Sequence, residues 1–147
     1  MENNYFNAIS LYRVARFFHL KRIKFMVRVF EALTYLIFNG YIPATCSIGK
    51  GTYCSHRGMS VVIHPDSEIG DNCVIGTCVT LGGAGKGRDG APVIGNGVYL
   101  GTGTKVIGPV VLNNGVTTGA NAVVVNSVRE GATVVGIPAK IIGTSAL

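Results

Sequence analysis

Tryptophan is absent from the 147 residues, and only 14% of them are charged. So little charge beside 48% hydrophobic residues excludes an intrinsically disordered chain. Long apolar runs are missing too. A membrane-spanning helix requires about 18 or more uncharged apolar residues, and the best stretch, Ala32 to Phe38, falls far short. The first ten residues hold no basic start followed by an apolar core, so no secretory signal is expected. Histidine is scarce, and the four cysteines (Cys46, Cys54, Cys73, Cys78) match no zinc spacing; Cys73-x4-Cys78 has no His beside it. No metal is expected, and the thiols fit a reduced, cytoplasmic protein. A phosphate-binding P-loop is excluded as well. Beside Gly85-Lys86, Thr80 stands where that loop needs Gly, and Gly87 where it needs Ser or Thr.

Glycine, by contrast, is abundant at 21 residues, without a collagen period. The net charge is +6 and uneven. Residues 1–38 carry Arg13, Arg16, Lys21, Arg22, Lys24 and Arg28 against Glu2 and Glu31. In this segment Arg13, Arg16, Lys24, Arg28 and Glu31 favour one side of a helix. Leu11, Val14, Phe18, Phe25, Val29, Leu33 and Leu36 favour another. A break is expected near His19–Lys21. Asn39-Gly40 supplies a left-handed C-cap and Pro43 the exit. The basic side reads as a solvated face, with peripheral contact to anionic lipid as the alternative. The chain therefore divides into a helical segment at 1–40 and a second unit at 41–147, which is expected to carry its own core.

After residue 45 the sequence repeats every six residues. Ile69, Ile75 and Leu81 begin the clearest series; after an inserted segment it resumes at Ile94, Leu100, Val106, Leu112, Thr118 and Val124. Glycine follows at 70, 76, 82, 95, 101 and 119. Four positions beyond each aliphatic stand Cys73, Val79, Gly85, Val98, Thr104, Val110, Val116, Ala122 and Val128. A period of six fits neither a helix nor simple strand alternation. It fits short flat strands joined by corners, with both repeated positions facing into a narrow prism. The glycine serves either unusual backbone angles or close approach. Three hexads make one triangular coil, and the chain holds about five coils. The pattern resembles that of the left-handed β-helix acyltransferases. The fold expected is all-β: a left-handed parallel β-helix of hexapeptide repeats with a short N-terminal α-helical segment.

Two places break the period: three extra residues around Ser55-His56-Arg57-Gly58-Met59, and seven extra between Leu81 and Ile94 in a glycine-rich loop. Insertions on solenoids often build the binding face. With faces counted from Ile48, Cys54 falls on face two and Ile63 on face three. His56 then lies at the corner between faces two and three, and the loop at the corner between faces three and one. One subunit cannot bring these corners together, but neighbours in a three-fold ring can, so a homotrimer with active sites between subunits is expected. Thr102 and Ala120 follow face two by two residues, as His56 does. They form a stripe of small residues in which a long thin ligand could lie.

Several motifs carry a closer resemblance: Gly49-Lys50-Gly51, His56, Val79-Thr80-Leu81-Gly82-Gly83 with Gly85-Lys86, Gly101-Thr102-Gly103, and the closing Gly136-Ile137-Pro138-Ala139-Lys140. The chain is similar here to the serine acetyltransferases. The resemblance implies an acetyl-CoA-dependent O-acetyltransferase acting on L-serine or a similar small acceptor. It implies His56 as the general base, and Gly83, Ala84, Thr102, Gly103 and Ala120 along the CoA arm. Lys86 and Lys140 would meet its phosphates. Three positions depart from that family: Tyr41 and Ser55 stand where it carries Asp, and Ala91 where it carries a second His. The acceptor therefore stays open between L-serine and a sugar or polysaccharide precursor. A non-catalytic trimeric binding module is the remaining alternative. A carbonic anhydrase of this fold would need three His ligands, whereas His56 and His64 are the only two in the repeat. His64 itself reads as a structural corner residue. The resemblance gives no partnership with nucleic acid. The family tail that docks into cysteine synthase ends in Ile, whereas this chain ends Thr144-Ser145-Ala146-Leu147, so that partnership is not expected.

Overall fold

The computed structural model describes residues 6–85, 87 and 89–144. Two helices come first, α1 (Ala8–Leu20) and α2 (Lys24–Phe38). Asn7 starts α1 through a capping box: its side chain accepts from Ser10 N–H at 3.2 Å, and Ser10 Oγ accepts from Asn7 N–H at 3.3 Å. The break falls at residues 21–23, where Arg22 has φ +60°. Asn39, at φ +50°, ends α2 with its N–H on Tyr35 O, as the sequence predicts.

Short strands follow: β1 (Ser47–Ile48), β2 (Tyr53–Cys54), β3 (Val62–Ile63), β4 (Glu68–Ile69), β5 (Val74–Ile75), β6 (Thr80–Gly82) and β7 (Val93–Ile94). Then come β8 (Tyr99–Leu100), β9 (Lys105–Ile107), β10 (Val111–Leu112), β11 (Thr117–Thr118), β12 (Val123–Val124), β13 (Ala132–Val135) and β14 (Lys140–Thr144). Every third strand stacks in parallel as far as β12, and β13 then stacks on β11. The sheets run β1-β4-β7-β10, β2-β5-β8-β11-β13 and β3-β6-β9-β12. These are faces one, two and three as phased from the sequence. The register aligns the repeated aliphatics, with Ile48, Ile69, Ile94 and Leu112 in one column and Ile63, Leu81, Val106 and Val124 in another. Lone bridges from Tyr41 to Val62 and from Leu112 to Val128 extend faces three and one. β14 reverses and pairs antiparallel with β13.

The second inward position is buried throughout except at Gly85, which belongs to the expanded loop. Thr118, the one hydroxyl in the aliphatic series, is satisfied inside: its Oγ lies 2.8 Å from Thr104 Oγ1 and accepts from Gly101 N–H at 3.0 Å.

The glycine after the aliphatic serves close approach. A Cβ on Gly76 would stand 2.6 Å from Thr102 N and 2.8 Å from Leu100 O on the next coil. Left-handed angles fall two residues later instead. Ser60, Cys78, Gly103 and Asn121 form one positive-φ column, each N–H of the last three bonding a carbonyl of the coil below. At the corner between faces one and two, side-chain oxygens accept from coil to coil: Lys50 N–H donates to the Asp71 carboxylate, Asp71 N–H to the Asn96 carboxamide, and Asn96 N–H to the Asn114 carboxamide, at 2.7–2.8 Å.

The helices depart from the sequence expectation. The single apolar stripe is split: Leu11 is buried, while Phe25 and Leu36 are 73% and 76% exposed. The reason is the left-handed break, which folds α2 back onto α1 and stacks Phe18 on Phe30. Nor is the basic side uniformly solvated. Arg13 donates to Ile48 O and Gly49 O, and Arg16 to Ala44 O and Thr45 O, while Glu31 accepts from Ala44 N–H at 2.8 Å. Tyr12 is buried and donates to Cys46 O at 2.8 Å. Ala8, Ile9, Leu11 and Tyr12 belong to the same hydrophobic cluster as the coils. The helices thus close the open end of the prism. Among the described residues, no helix is long and apolar enough to cross a membrane.

The close approach of the coils yields a stability test. Gly76→Ala is expected to lower unfolding free energy by about 1–3 kcal/mol through overpacking against backbone. Gly143→Ala, where no atom stands within 4 Å of the added Cβ, should leave stability unchanged. Denaturant midpoints at constant m-value would measure both.

Candidate functional site

His56 rides on a 3-10 turn, Ser55–Gly58, inserted after β2. Both His56 (φ 47°, ψ 42°) and Arg57 (φ 65°, ψ 3°) are left-handed. Non-glycine residues seldom adopt that region, and such strain gathers at functional sites. The turn is held from behind. Gly58 has φ +81°, and a Cβ there would meet Ala8 Cβ of α1 at 2.9 Å and Cys54 Cβ at 3.0 Å. The imidazole itself is exposed.

Above the turn runs the corner between faces two and three. Cys78 N–H bonds Met59 O, Gly103 N–H bonds Thr77 O, and Asn121 N–H bonds Thr102 O. Met59 therefore takes the wall position beneath Thr77, and His56 projects beside it rather than stacking in the column. Thr77 Oγ1 lies 3.4 Å from Thr102 Oγ1, and Thr102 and Ala120 are exposed while Gly103 is buried. Val123 N–H bonds Gly136 O at the top, where the chain turns into β14 and the exposed Lys140. The stripe thus leads from the His56 turn after β2 across four strand spacings of face two, about 19 Å, to β13, with Lys140 on β14 one spacing beyond. Lys105 braces it from face three: its Nζ donates to Cys78 O at 2.6 Å and Gly103 O at 3.0 Å. No sequence signal announced Lys105, because its contacts depend on which coils stack.

Gly83 and Ala84 stand elsewhere, on the glycine-rich loop at the far edge of face three. Lys86 lies outside the described residues, as do Ser145–Leu147. One chain therefore sets His56, Thr102, Gly103 and Ala120 along one corner, with Lys140 at the far end of face two, and leaves the loop at another corner. His64 sits at the loop's root. Its Nδ1 accepts from Asp66 N–H at 3.2 Å, which leaves the Nε2 edge facing Gly83, whose Cβ would stand 3.5 Å from it.

Tyr41 is exposed on face three beside α2. Partial burial raises its phenol above the usual 10.0, with the Glu31 carboxylate and then Cys46 adding to it, so it stays a neutral donor. Among the described residues, no group of three His, Cys, Asp or Glu side chains comes together that could hold a metal.

A parallel β-helix of six-residue repeats with a left-handed His on a corner insertion, beside a stripe of small residues, is the arrangement that the resemblance to the hexapeptide-repeat acyltransferases implies. No family model matches the chain. It is, however, 40% identical over 137 residues to a serine acetyltransferase of Helicobacter pylori, covering 92% of this chain and 80% of that one. The serine acetyltransferase of Neisseria gonorrhoeae superposes with a TM-score of 0.88 at 31% identity, over 95% of this chain and 55% of that one. That of Brucella abortus in complex with coenzyme A gives 0.86 at 32%, over 95% and 56%. The chain belongs to the serine acetyltransferase family. It spans just over half the length of those two solved relatives.

The cysteines give the testable consequence. Burial raises the Cys46 thiol to about 12 despite the nearby Arg16, and raises Cys54 to about 12, against an ordinary 9.0. Below pH 9 both folded and unfolded chains keep these protons. Above it the unfolded chain loses them first, so stability is expected to fall as pH rises from about 9 toward 12. At neutral pH a thiol reagent should label Cys78, the exposed one, and reach Cys46, Cys54 and Cys73 only on unfolding. Mass spectrometry of labelled native protein would read this.

Proposed function

We propose that the chain transfers an acetyl group from acetyl-CoA to a hydroxyl of L-serine or a similar small acceptor, with His56 as general base. The observation that carries this reading is the left-handed His56 turn at the foot of a small-residue stripe, in a chain of the serine acetyltransferase family. A pantetheine arm would lie along Thr102, Gly103 and Ala120, with Lys140 beside the far phosphates. Its thioester would then reach the foot of the stripe. The imidazole takes the proton from the acceptor hydroxyl as that oxygen attacks the carbonyl carbon. The C–S bond then breaks, and the proton passes to the departing thiolate. Backbone N–H groups at the corner would stabilise the oxyanion.

Gly83 and Ala84, which the family resemblance assigns to the CoA arm, stand on another corner of the prism and would reach this site only from a neighbouring subunit, as in a homotrimer. The exposed Val93 and Val111, adjacent on the outer surface of face one, support assembly as well. Four unpaired thiols fit the reducing cytoplasm. Tyr41, Ser55 and Ala91 favour a second reading, with a sugar hydroxyl as acceptor, because the acids and second His that would grip an amino acid are missing.

Free thiol released from acetyl-CoA, with L-serine and a panel of sugars offered in parallel, separates the two. His56→Ala is expected to cut turnover by about 10²- to 10⁴-fold while CoA affinity and the oligomer survive; turnover near wild type would remove His56 as the base. Ala120→Trp fills the stripe and should abolish CoA binding in calorimetry. Unchanged affinity there would place the arm elsewhere.

A further inference from the structure

Where the helices meet the first coil, a cleft of about 460 Å³ opens between the turn after α1, the start of α2 and residues 41–45 and 65. Its size falls in the range of small-molecule sites. The lining is chemically one-sided. Arg22, Lys24 and Arg28 converge on it with His19, while Glu31 is the one carboxylate among the lining residues. That carboxylate is already engaged by Ala44 N–H. The cleft therefore carries an excess of two positive charges.

These cations make no structural contact of the kind that Arg13 and Arg16 make to the coil carbonyls. Arg22, Lys24 and Arg28 are exposed, and no ion pair or hydrogen bond holds their side chains among the described residues. The lining also includes Tyr41, Pro43 and Pro65, an aromatic ring and two rings of proline that suit an organic body rather than a bare ion. Like charges gathered at a cleft repel one another, and a bound dianion would relieve that repulsion.

We propose that this cleft binds a phosphate group: a charge near −2 matches the excess, and two guanidinium forks suit its oxygens. It lies at the helix–coil junction, away from the stripe assigned to CoA, so the proposal does not rest on the acetyltransferase reading. The phosphate belongs either to a small soluble compound or to a lipid headgroup, which the exposed Phe25 and Leu36 on α2 would accompany.

Calorimetry with the full chain and inorganic pyrophosphate tests the soluble source. Flotation with phosphatidylglycerol against phosphatidylcholine vesicles tests the lipid source. Saturable binding of either probe is expected, weakened at least tenfold in Arg22→Gln/Arg28→Gln and unchanged in the equally charged control Lys50→Gln/Arg129→Gln. The far-ultraviolet circular dichroism and the thermal midpoint, followed separately, should be the same in all three proteins and report that the fold is intact. Binding of pyrophosphate identifies a soluble ligand; binding of anionic vesicles alone identifies a headgroup. Binding of neither probe overturns the proposal, as does equal weakening in the control.

Discussion

Successive coils of this protein are hydrogen-bonded in parallel at the strand spacing of about 4.8 Å, and that spacing is the constraint on which everything else depends. At the glycine after the inward aliphatic at 49, 70, 76, 95 and 101, the next coil passes so close that a Cβ would enter its backbone. Two residues further, the corner turns through left-handed angles at Ser60, Cys78, Gly103 and Asn121. Glycine and asparagine at fixed intervals are therefore the cost of stacking the walls flat. Above Met59, the corner between faces two and three carries only small side chains. This stripe of Thr77, Thr102 and Ala120 is a surface on which a thin ligand can lie.

Chemistry enters where this regularity is interrupted. The three residues added after β2 lift His56 out of the wall into a strained turn, and Met59 takes over the wall position beneath Thr77. A turn on a solenoid has support from one side only. Here α1 supplies the other through Ala8, packed behind Gly58. The helical segment thus steadies the candidate base as well as closing the prism.

The basic residues of that segment divide by task. Arg13 and Arg16 satisfy carbonyls left open by the first coil, which has no coil beneath it. Arg22, Lys24 and Arg28 have no such employment and gather at a cleft. In the sequence the two groups look alike, since both are cations at helical spacing.

The architecture was legible in the residues because a six-residue period has one simple physical solution, and counting from Ile48 assigned Cys54, Ile63 and every later aliphatic to its observed face. The two insertions, and with them His56 and the glycine-rich loop, were legible for the same reason: a break in a period is visible without coordinates. The helices were less so. Spacing gave their extent and the Asn39 cap, but the left-handed Arg22 decided that the apolar stripe would be split, leaving Phe25 and Leu36 outside. Only the stacked coils decided that Lys105 would brace Cys78 and Gly103, that Ala8 would back the His56 turn, and that three of six cations would share a cleft. Local periodicity fixes which way a residue points within its own coil; contacts between residues far apart in the chain follow from how coils and helices pack, and no local pattern encodes them.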